Sequence, residues 1–330
     1  MIRVAINGFG RIGRLTTRRL MMNKEVSIVA INDLTDNPTL AHLFKYDTAY
    51  GKFDGHIAAS EDYLEINDQK IKAFATKDPS TLPWKDLGVD VVIESTGVFT
   101  STEHCMTHIQ AGARKVALSA PAKGPMKTIV IGVNENTLTT SDMIVSNASC
   151  TTNCLAPMVK VLDDAYGIAE GFMTTVHAFT QDQKIQDSPH RDLRRARAAS
   201  YNIIPTTTGA AEAVALVMPH LKGKLTGSAL RVPVITGSLT EFTCLLNKPT
   251  NVTAINELFK QQSETAMKGI LEYSTDPLVS SDIIGNSYSC IFDSECTKQL
   301  GAMYRILGWY DNEYGYSSRL ANLVSILGQL

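Results

Sequence analysis

Cysteine is scarce. Six cysteines in 330 residues (Cys105, Cys150, Cys154, Cys244, Cys290 and Cys296) are too few for a disulfide-held scaffold and suit a reducing compartment. Long apolar runs are missing as well. None exceeds the six residues of 213–218, far short of the ~20 that a membrane-spanning helix needs. Neither sign of charge is in excess: 31 Lys and Arg stand against 33 Asp and Glu, a net −2 with pI near 6.4. That balance gives no global attraction to nucleic acid or to an anionic membrane. No charged segment followed by an apolar one precedes the strand-like start at 2–7, and a cytoplasmic location is expected. Internal repeats and low-complexity tracts are absent too. What remains is 44% hydrophobic and 19% charged, a folded chain long enough for two domains at roughly 150 residues each.

The first half alternates apolar runs (2–7, 26–32, 89–95, 115–119, 128–133, 143–146) with helix-like stretches such as 11–22 and 101–111. Val- and Ile-rich strands alternating with helices predict βαβ units in a doubly wound, mostly parallel sheet. After residue 150 the texture changes. A helix over 151–166 leads to a strand over 171–179, then to a polar segment, 180–202, with little periodicity. A connection that long is uncommon and usually functional. Later runs at 228–233, 239–247, 288–292 and 303–310 alternate apolar and polar residues as antiparallel strands do, with a helix over 252–267. The fold class expected is α/β: a Rossmann-type domain plus an α+β domain with a mostly antiparallel sheet. The expected domains are 1–149 and 150–313, with an amphipathic helix at 314–330 carrying Leu320, Leu323, Val324 and Leu327 back to the first.

Gly8-Phe9-Gly10-Arg11-Ile12-Gly13 matches G-x-G-x-x-G, directly after a strand and at the start of a helix. Glycines permit a tight turn and close approach of backbone to a pyrophosphate, and the helix N-terminus supplies N–H groups and positive dipole. Asp33 ends the second strand, where a carboxylate accepts ribose hydroxyls and repels a 2′-phosphate, favouring NAD over NADP.

Ser146-Asn147-Ala148-Ser149-Cys150-Thr151-Thr152-Asn153-Cys154 places a thiol in the first turn of a helix that Ser149 can cap. Helix N-termini and nearby cations stabilise a thiolate and lower its pKa into a range of roughly 3.5–7.5. Cys154, one turn further, reads as a packed residue, because a Cys-x3-Cys zinc site lacks a second ligand pair. His177 lies in a strand-like run 27 residues after Cys150. An imidazole there can act as base or hold an oxyanion. A lone strand histidine is more often a packed core residue, and the spacing does not choose between the two. The basic cluster Arg194, Arg195 and Arg197 reads by itself as a solvated face, with too little aromatic interleaving for a dedicated nucleic-acid site.

Taken together, NGFGRIGR, SNASCTTNC, TTVHAFT, DLRRARAAS, NIIPTTTGAA and WYDNEYGYS, in order from Asn7 to Ser317, resemble phosphorylating glyceraldehyde-3-phosphate dehydrogenase. The resemblance implies that Cys150 attacks the aldehyde of glyceraldehyde 3-phosphate and that the thiohemiacetal gives hydride to NAD. Inorganic phosphate then releases 1,3-bisphosphoglycerate from a thioester, with His177 activating the thiol. It implies Thr180 and Arg231 for the substrate phosphate, with Asp182 near enough to orient Arg231. Ser149, Thr151, Arg195, Thr208 and Gly209 would serve the attacking phosphate. For NAD it implies Gly8, Gly10, Arg11, Ile12, Gly13, Asp33, Lys77, Ser119 and Asn312, and for assembly a homotetramer. The sequence departs from the family at Val232-Pro233-Val234-Ile235-Thr236-Gly237-Ser238, at Lys77 where arginine is frequent, and at Ser188 where NAD-specific members often carry leucine. Erythrose-4-phosphate dehydrogenase, which hands the thioester to water, is the near alternative. A surface adhesin or RNA-binding module is the alternative of another class.

Overall fold

The computed structural model describes residues 1–330. The chain divides into two compact units: residues 1–129, 136–148 and 317–330 form one, and 130–135 with 149–316 form the other.

The first unit holds a nine-stranded sheet. From one edge it runs Lys127–Thr128 (β10), Ile144–Ser146 (β11), Lys115–Leu118 (β9), Val91–Glu94 (β8), Ile2–Asn7 (β1), Val26–Asn32 (β2), Gln69–Phe74 (β7), Tyr63–Ile66 (β6) and Ile57–Ala59 (β5). From β10 to β7 all neighbours are parallel, and β7, β6 and β5 close the far edge as an antiparallel meander. Tyr46–Asp47 (β3) and Gly51–Lys52 (β4) form a small separate ribbon. Helices Arg11–Leu20 (α1), Asn37–Lys45 (α2) and Thr102–Gln110 (α3) follow strands in the crossover pattern. Every residue of β8 and β9 is buried, as a parallel sheet covered on both faces requires. Short-range chemistry starts the helices. Asp36 Oδ1 accepts from Thr39 N at 2.9 Å ahead of α2, and Ser101 Oγ accepts from His104 N at 3.3 Å ahead of α3. The strand order reverses at β1, flanked by β2 and β8, so the C-terminal ends of these three strands border the crevice where such sheets bind ligands.

One local expectation changes. The strand expected over 128–133 ends at Thr128, because Val130 N turns onto Asn134 Oδ1 at 2.9 Å and Gly132 adopts φ +89°. The meander over 57–74 carries no strong sequence signal and was not anticipated.

The second unit holds an eight-stranded sheet. Its order is Ile204–Thr206 (β13), Leu225–Val232 (β14), Ile168–Ala178 (β12), Ser238–Leu246 (β15), Met303–Tyr310 (β19), Cys290–Asp293 (β17) and Leu271–Ser274 (β16), with Lys298–Leu300 (β18) paired to β19. Most pairs are antiparallel. However, β14 runs parallel to the central β12, and β16 parallel to β17. The antiparallel reading of residues 228–233 is therefore corrected on the β12 side: alternation reports which face is buried, not the direction of the neighbour. Helices Cys150–Tyr166 (α4), Ala210–Val217 (α5) and Val252–Glu264 (α6) belong to this unit. Phe259 and Phe292 stack with ring centroids 3.9 Å apart, joining α6 to β17. Each such burial contributes about 1.5–3 kcal/mol. Residues 181–203 contain neither helix nor strand.

The last helix, Tyr314–Gln329 (α7), belongs to the first unit from Ser317 onward. Its Leu320, Leu323, Val324 and Leu327 are buried, and a β-carbon on Gly328 would lie 2.4 Å from Ile2 Cγ2. Only glycine permits that approach.

Candidate active site

In the first unit the glycine loop begins where β1 ends. Gly8 adopts φ +93°, and a β-carbon there would lie 2.6 Å from Thr96 N. A β-carbon on Gly13 would lie 2.2 Å from Gly8 O, so α1 packs against the turn only without a side chain. Gly10 differs: no atom lies within 4 Å of its would-be β-carbon. It leaves bare backbone facing open space at the N-cap of α1, a cap with no side-chain bond and no acidic residue in the first turn. A cradle of that shape, with N–H groups of Arg11 and Ile12 in the first turn, fits a dinucleotide pyrophosphate. The Arg11 side chain is committed elsewhere, bidentate to Asp47 at 2.7 and 3.3 Å. Asp33 Oδ2 accepts from Phe9 N at 2.7 Å and Oδ1 from Thr35 N at 2.9 Å. These bonds fix the carboxylate beside the loop and leave it further lone pairs for ribose hydroxyls. Ser119 N bonds Glu94 O at 2.9 Å, and Lys77 is exposed.

Beneath this loop lies a buried network that sequence reasoning missed. Glu94 Oε2 accepts from Asn7 Nδ2 at 2.6 Å and from His108 Nε2 at 3.0 Å, while Oε1 accepts from Thr96 N at 2.9 Å. Trp84 Nε1 donates to His108 Nδ1 at 3.1 Å, which leaves the imidazole proton on Nε2. Asn32 Nδ2 reaches Asn7 Oδ1 at 2.7 Å. Glu94 and Asn7 between them thus tie together the ends of β1, β2 and β8. Asn7 and Asn32, polar residues closing two apolar strands, were the available signal.

Ala148, the last residue of the first unit before the thiol helix, adopts φ +57°, a conformation costing a non-glycine residue about 1–3 kcal/mol. Ser149 Oγ accepts from Thr152 N at 3.0 Å, capping α4 and placing Cys150 in its first turn. Cys150 Sγ lies 3.3 Å from His177 Nε2. His177 Nδ1 lies 2.6 Å from Ala178 O and donates to it, which leaves Nε2 as the acceptor facing the sulfur. On the neighbouring strand Arg231 stands in register with His177. Its Nη1 donates to Ala178 O at 3.0 Å and to Thr180 Oγ1 at 3.3 Å, passing 3.0 Å from His177 Nδ1. Burial and then the Arg231 charge push the imidazole down to about 3, so His177 is neutral.

The thiol departs from the sequence expectation. Burial pushes Cys150 up, and the Arg231 guanidinium opposes that rise without cancelling it. Cys154 is fully buried, and all six cysteines are unpaired.

Arg195 lies near the imidazole, contributing to its depression. It bonds Asp182, Thr206 Oγ1 at 3.0 Å and Thr207 O at 3.4 Å. Asp182 therefore pairs with Arg195, not with Arg231 as expected, because the chain between 182 and 195 folds back on itself without regular structure. Thr208 Oγ1 accepts from Ala210 N at 3.2 Å, and Gly209 is the N-cap of α5. The first turns of α4 and α5 meet through Ser149 Oγ, Thr152 Oγ1 and Ala210 O. Two helix N-termini and an arginine make this end of the unit attractive to an anion. The Thr151 hydroxyl turns inward to Tyr310. Asn312 Oδ1 accepts from Ser238 Oγ at 2.9 Å and from Thr236 Oγ1 at 3.3 Å, which orients its amide.

Comparison with known proteins agrees with these two units. The family profile described as "Glyceraldehyde 3-phosphate dehydrogenase, NAD binding domain" matches residues 2–102, and "Glyceraldehyde 3-phosphate dehydrogenase, C-terminal domain" matches 149–312. The chain is 53% identical over 335 residues to glyceraldehyde-3-phosphate dehydrogenase of Mycobacterium avium, covering 99% of both chains. It is 53% identical over 336 residues to that of Mycolicibacterium smegmatis, again covering 99% of both. It is 50% identical over 329 residues to glyceraldehyde-3-phosphate dehydrogenase 2 of Streptomyces arenae, covering 99% of this chain and 98% of the relative.

Proposed function

The chain belongs to the glyceraldehyde 3-phosphate dehydrogenase family, and from that membership we infer that it is the glycolytic, NAD-dependent enzyme converting D-glyceraldehyde 3-phosphate and phosphate to 1,3-bisphosphoglycerate. The observation that carries the chemistry is the 3.3 Å approach of Cys150 Sγ to an unprotonated His177 Nε2, with Arg231 against the same imidazole. A thiol beside a neutral base is a nucleophile that is activated only as it reacts.

Gly8, Gly10 and Gly13 would leave backbone clear for the pyrophosphate of NAD, and Arg11 and Ile12 would donate their N–H groups to it. Asp33 would accept the ribose hydroxyls, Lys77 and Ser119 would line the nucleotide, and Asn312 would hold the carboxamide. NAD, when bound, supplies the hydride acceptor. In our reading Nε2 of His177 takes the thiol proton as sulfur attacks the aldehyde carbon, then returns it to the carbonyl oxygen. It takes that proton again as the thiohemiacetal is oxidised to the thioester. Arg231 and Thr180 would hold the substrate phosphate. Arg195, Ser149, Thr151, Thr208 and Gly209 would hold the inorganic phosphate that attacks the thioester, and the departing sulfur recovers its proton from His177. A thioester conserves the oxidation energy that hydrolysis would dissipate.

No helix is long and apolar enough to cross a membrane; we place the enzyme in the cytoplasm on its cysteine usage. Assembly as a homotetramer is supported by Phe172, Leu245, Leu300 and Met303, apolar side chains exposed on the strands of the second unit's sheet.

The test is a spectrophotometric assay with glyceraldehyde 3-phosphate. NADH should form beyond one equivalent per chain only with inorganic phosphate (or arsenate) present, and NADP should be a poorer substrate because of Asp33. Sustained NADH formation without phosphate would instead identify a thioester released to water, as in erythrose-4-phosphate dehydrogenase.

A further inference from the structure

Glu94 is fully buried at the end of β8, and each group bonded to its carboxylate is a donor. Asn7 Nδ2 at 2.6 Å and His108 Nε2 at 3.0 Å donate to Oε2, while Thr96 N at 2.9 Å and the Thr96 hydroxyl donate to Oε1. These roles are fixed from behind. Asn7 Oδ1 already accepts from Asn32 Nδ2 at 2.7 Å, His108 Nδ1 from Trp84 Nε1 at 3.1 Å, and Thr96 Oγ1 from Val98 N at 3.1 Å. Asn32 is clamped in turn on Thr76, donating to its O at 3.0 Å and accepting from its N at 2.9 Å. No member can turn an acceptor toward Glu94 without breaking a second bond, so the position demands a group that only accepts.

Each strand-end member of this network sits one residue before a part of the nucleotide crevice: Asn7 before Gly8, Asn32 before Asp33, and Glu94 before the Ser95–Thr96 peptide. The glycine turn rests on that peptide. A β-carbon on Gly8 would lie 2.6 Å from Thr96 N and 2.7 Å from Ser95 C, and Ser95 Oγ donates to Gly8 O at 2.7 Å. The peptide in turn stays where Glu94 Oε1 holds its N–H. We propose that Glu94, without touching the dinucleotide, is a positioning residue for it: the carboxylate fixes the 95–96 peptide against Asn7 and so sets the placement of the Gly8 turn that takes the pyrophosphate. A glutamine in its place would aim an amide nitrogen at a donor in either orientation, at Thr96 N or at Asn7 and His108. The turn would relax to relieve that contact, and a ligand would have to restore it. The cost of one mispaired buried bond then appears as weaker binding.

Calorimetric titration of the full-length protein with NAD, and with ADP-ribose, which keeps the adenosine and pyrophosphate but lacks nicotinamide, tests this. In Glu94→Gln both dissociation constants should rise about tenfold and by the same factor. KM for NAD should rise with them, while kcat and the iodoacetamide alkylation rate of Cys150 stay within about twofold of wild type. A loss of stability alone would lower the active fraction, and kcat with it, and leave KM for NAD unchanged. The double variant Glu94→Gln/Asn7→Asp moves the carboxylate to the neighbouring strand: the new amide donates to it, it still accepts from Asn32, and Thr96 N keeps an acceptor. Both constants should return to within about threefold of wild type. Should Glu94→Gln fail to fold, His108→Leu removes one donor and should raise both constants about threefold. His108→Gln, able to accept from Trp84 and donate to Glu94, should leave them unchanged. Wild-type affinity in Glu94→Gln (or, in its place, His108→Leu), a change for NAD without one for ADP-ribose, or no recovery in the double variant overturns the proposal. The role rests on the glycine turn being the pyrophosphate site. Gly10→Val, whose side chain would enter open space, should abolish binding of both ligands, and wild-type affinity there overturns that reading instead.

Discussion

At the scale of single residues, the site is governed by what burial does to two groups 3.3 Å apart. Desolvation opposes charge on both: it raises the Cys150 thiol and lowers the His177 imidazole. Arg231 pushes both downward, favouring thiolate at one and neutrality at the other. The sign of a prediction follows. In Arg231→Leu the thiolate loses its nearest cation, so the alkylation midpoint of Cys150 should move up in pH. kcat/KM for glyceraldehyde 3-phosphate should also fall by about two to three orders of magnitude, as expected when a charge-assisted phosphate contact is removed. A downward midpoint would mean that burial and a neighbouring charge do not control the sulfur. Sequence made the thiol, its capping serine and the basic residues visible, because each belongs to a contiguous block. It did not reveal the balance of burial against charge, which depends on strands and loops distant along the chain. Nor did it pair Asp182 with Arg195, since an irregular segment has no periodicity from which to infer a partner.

At the scale of elements, the strand–turn–helix of residues 2–20 was legible from sequence because its constraints are local. Gly8 must adopt φ +93° against Thr96, and Gly13 must pass Gly8 O. Gly8→Ala should therefore weaken NAD binding by more than about tenfold in calorimetric titration and lower the melting temperature, since a strained φ and a 2.6 Å clash act together. Alkylation of Cys150, in the other unit, should be unchanged. Wild-type NAD affinity in this variant would contradict the role given to the loop. Less was legible where an element depends on its neighbours. The meander over 57–74 is built of strands of three to six residues, too short for a distinct alternation. The parallel pairing of β12 with β14 is invisible to alternation, which is the same for either direction. Glu94 binds Asn7 across 87 positions, a partnership only the sheet order creates.

At the scale of the whole molecule, the two units divide the labour. One presents a glycine turn and the Asp33 carboxylate at the switch point of a parallel sheet. The other presents a thiol, a base and two arginines where helix N-termini meet. This division was readable in advance as a change of texture near residue 150, because covered parallel strands and half-exposed antiparallel ones require different residue patterns. The line of hydroxyls from Thr151 through Tyr310 and Thr175, ending on the Leu239 carbonyl, was not, since its four members lie on α4, β19, β12 and β15 and meet only in the folded unit. The central claim is that the Cys150 sulfur carries the substrate as a thioester. Mixing enzyme, NAD and glyceraldehyde 3-phosphate without inorganic phosphate, quenching in acid and analysing the peptides by mass spectrometry tests it directly. The account predicts one 3-phosphoglyceroyl group per chain, on the peptide bearing Cys150, lost when phosphate is added before the quench. NADH formed with no adduct on that peptide, or with the adduct on another cysteine, would contradict it.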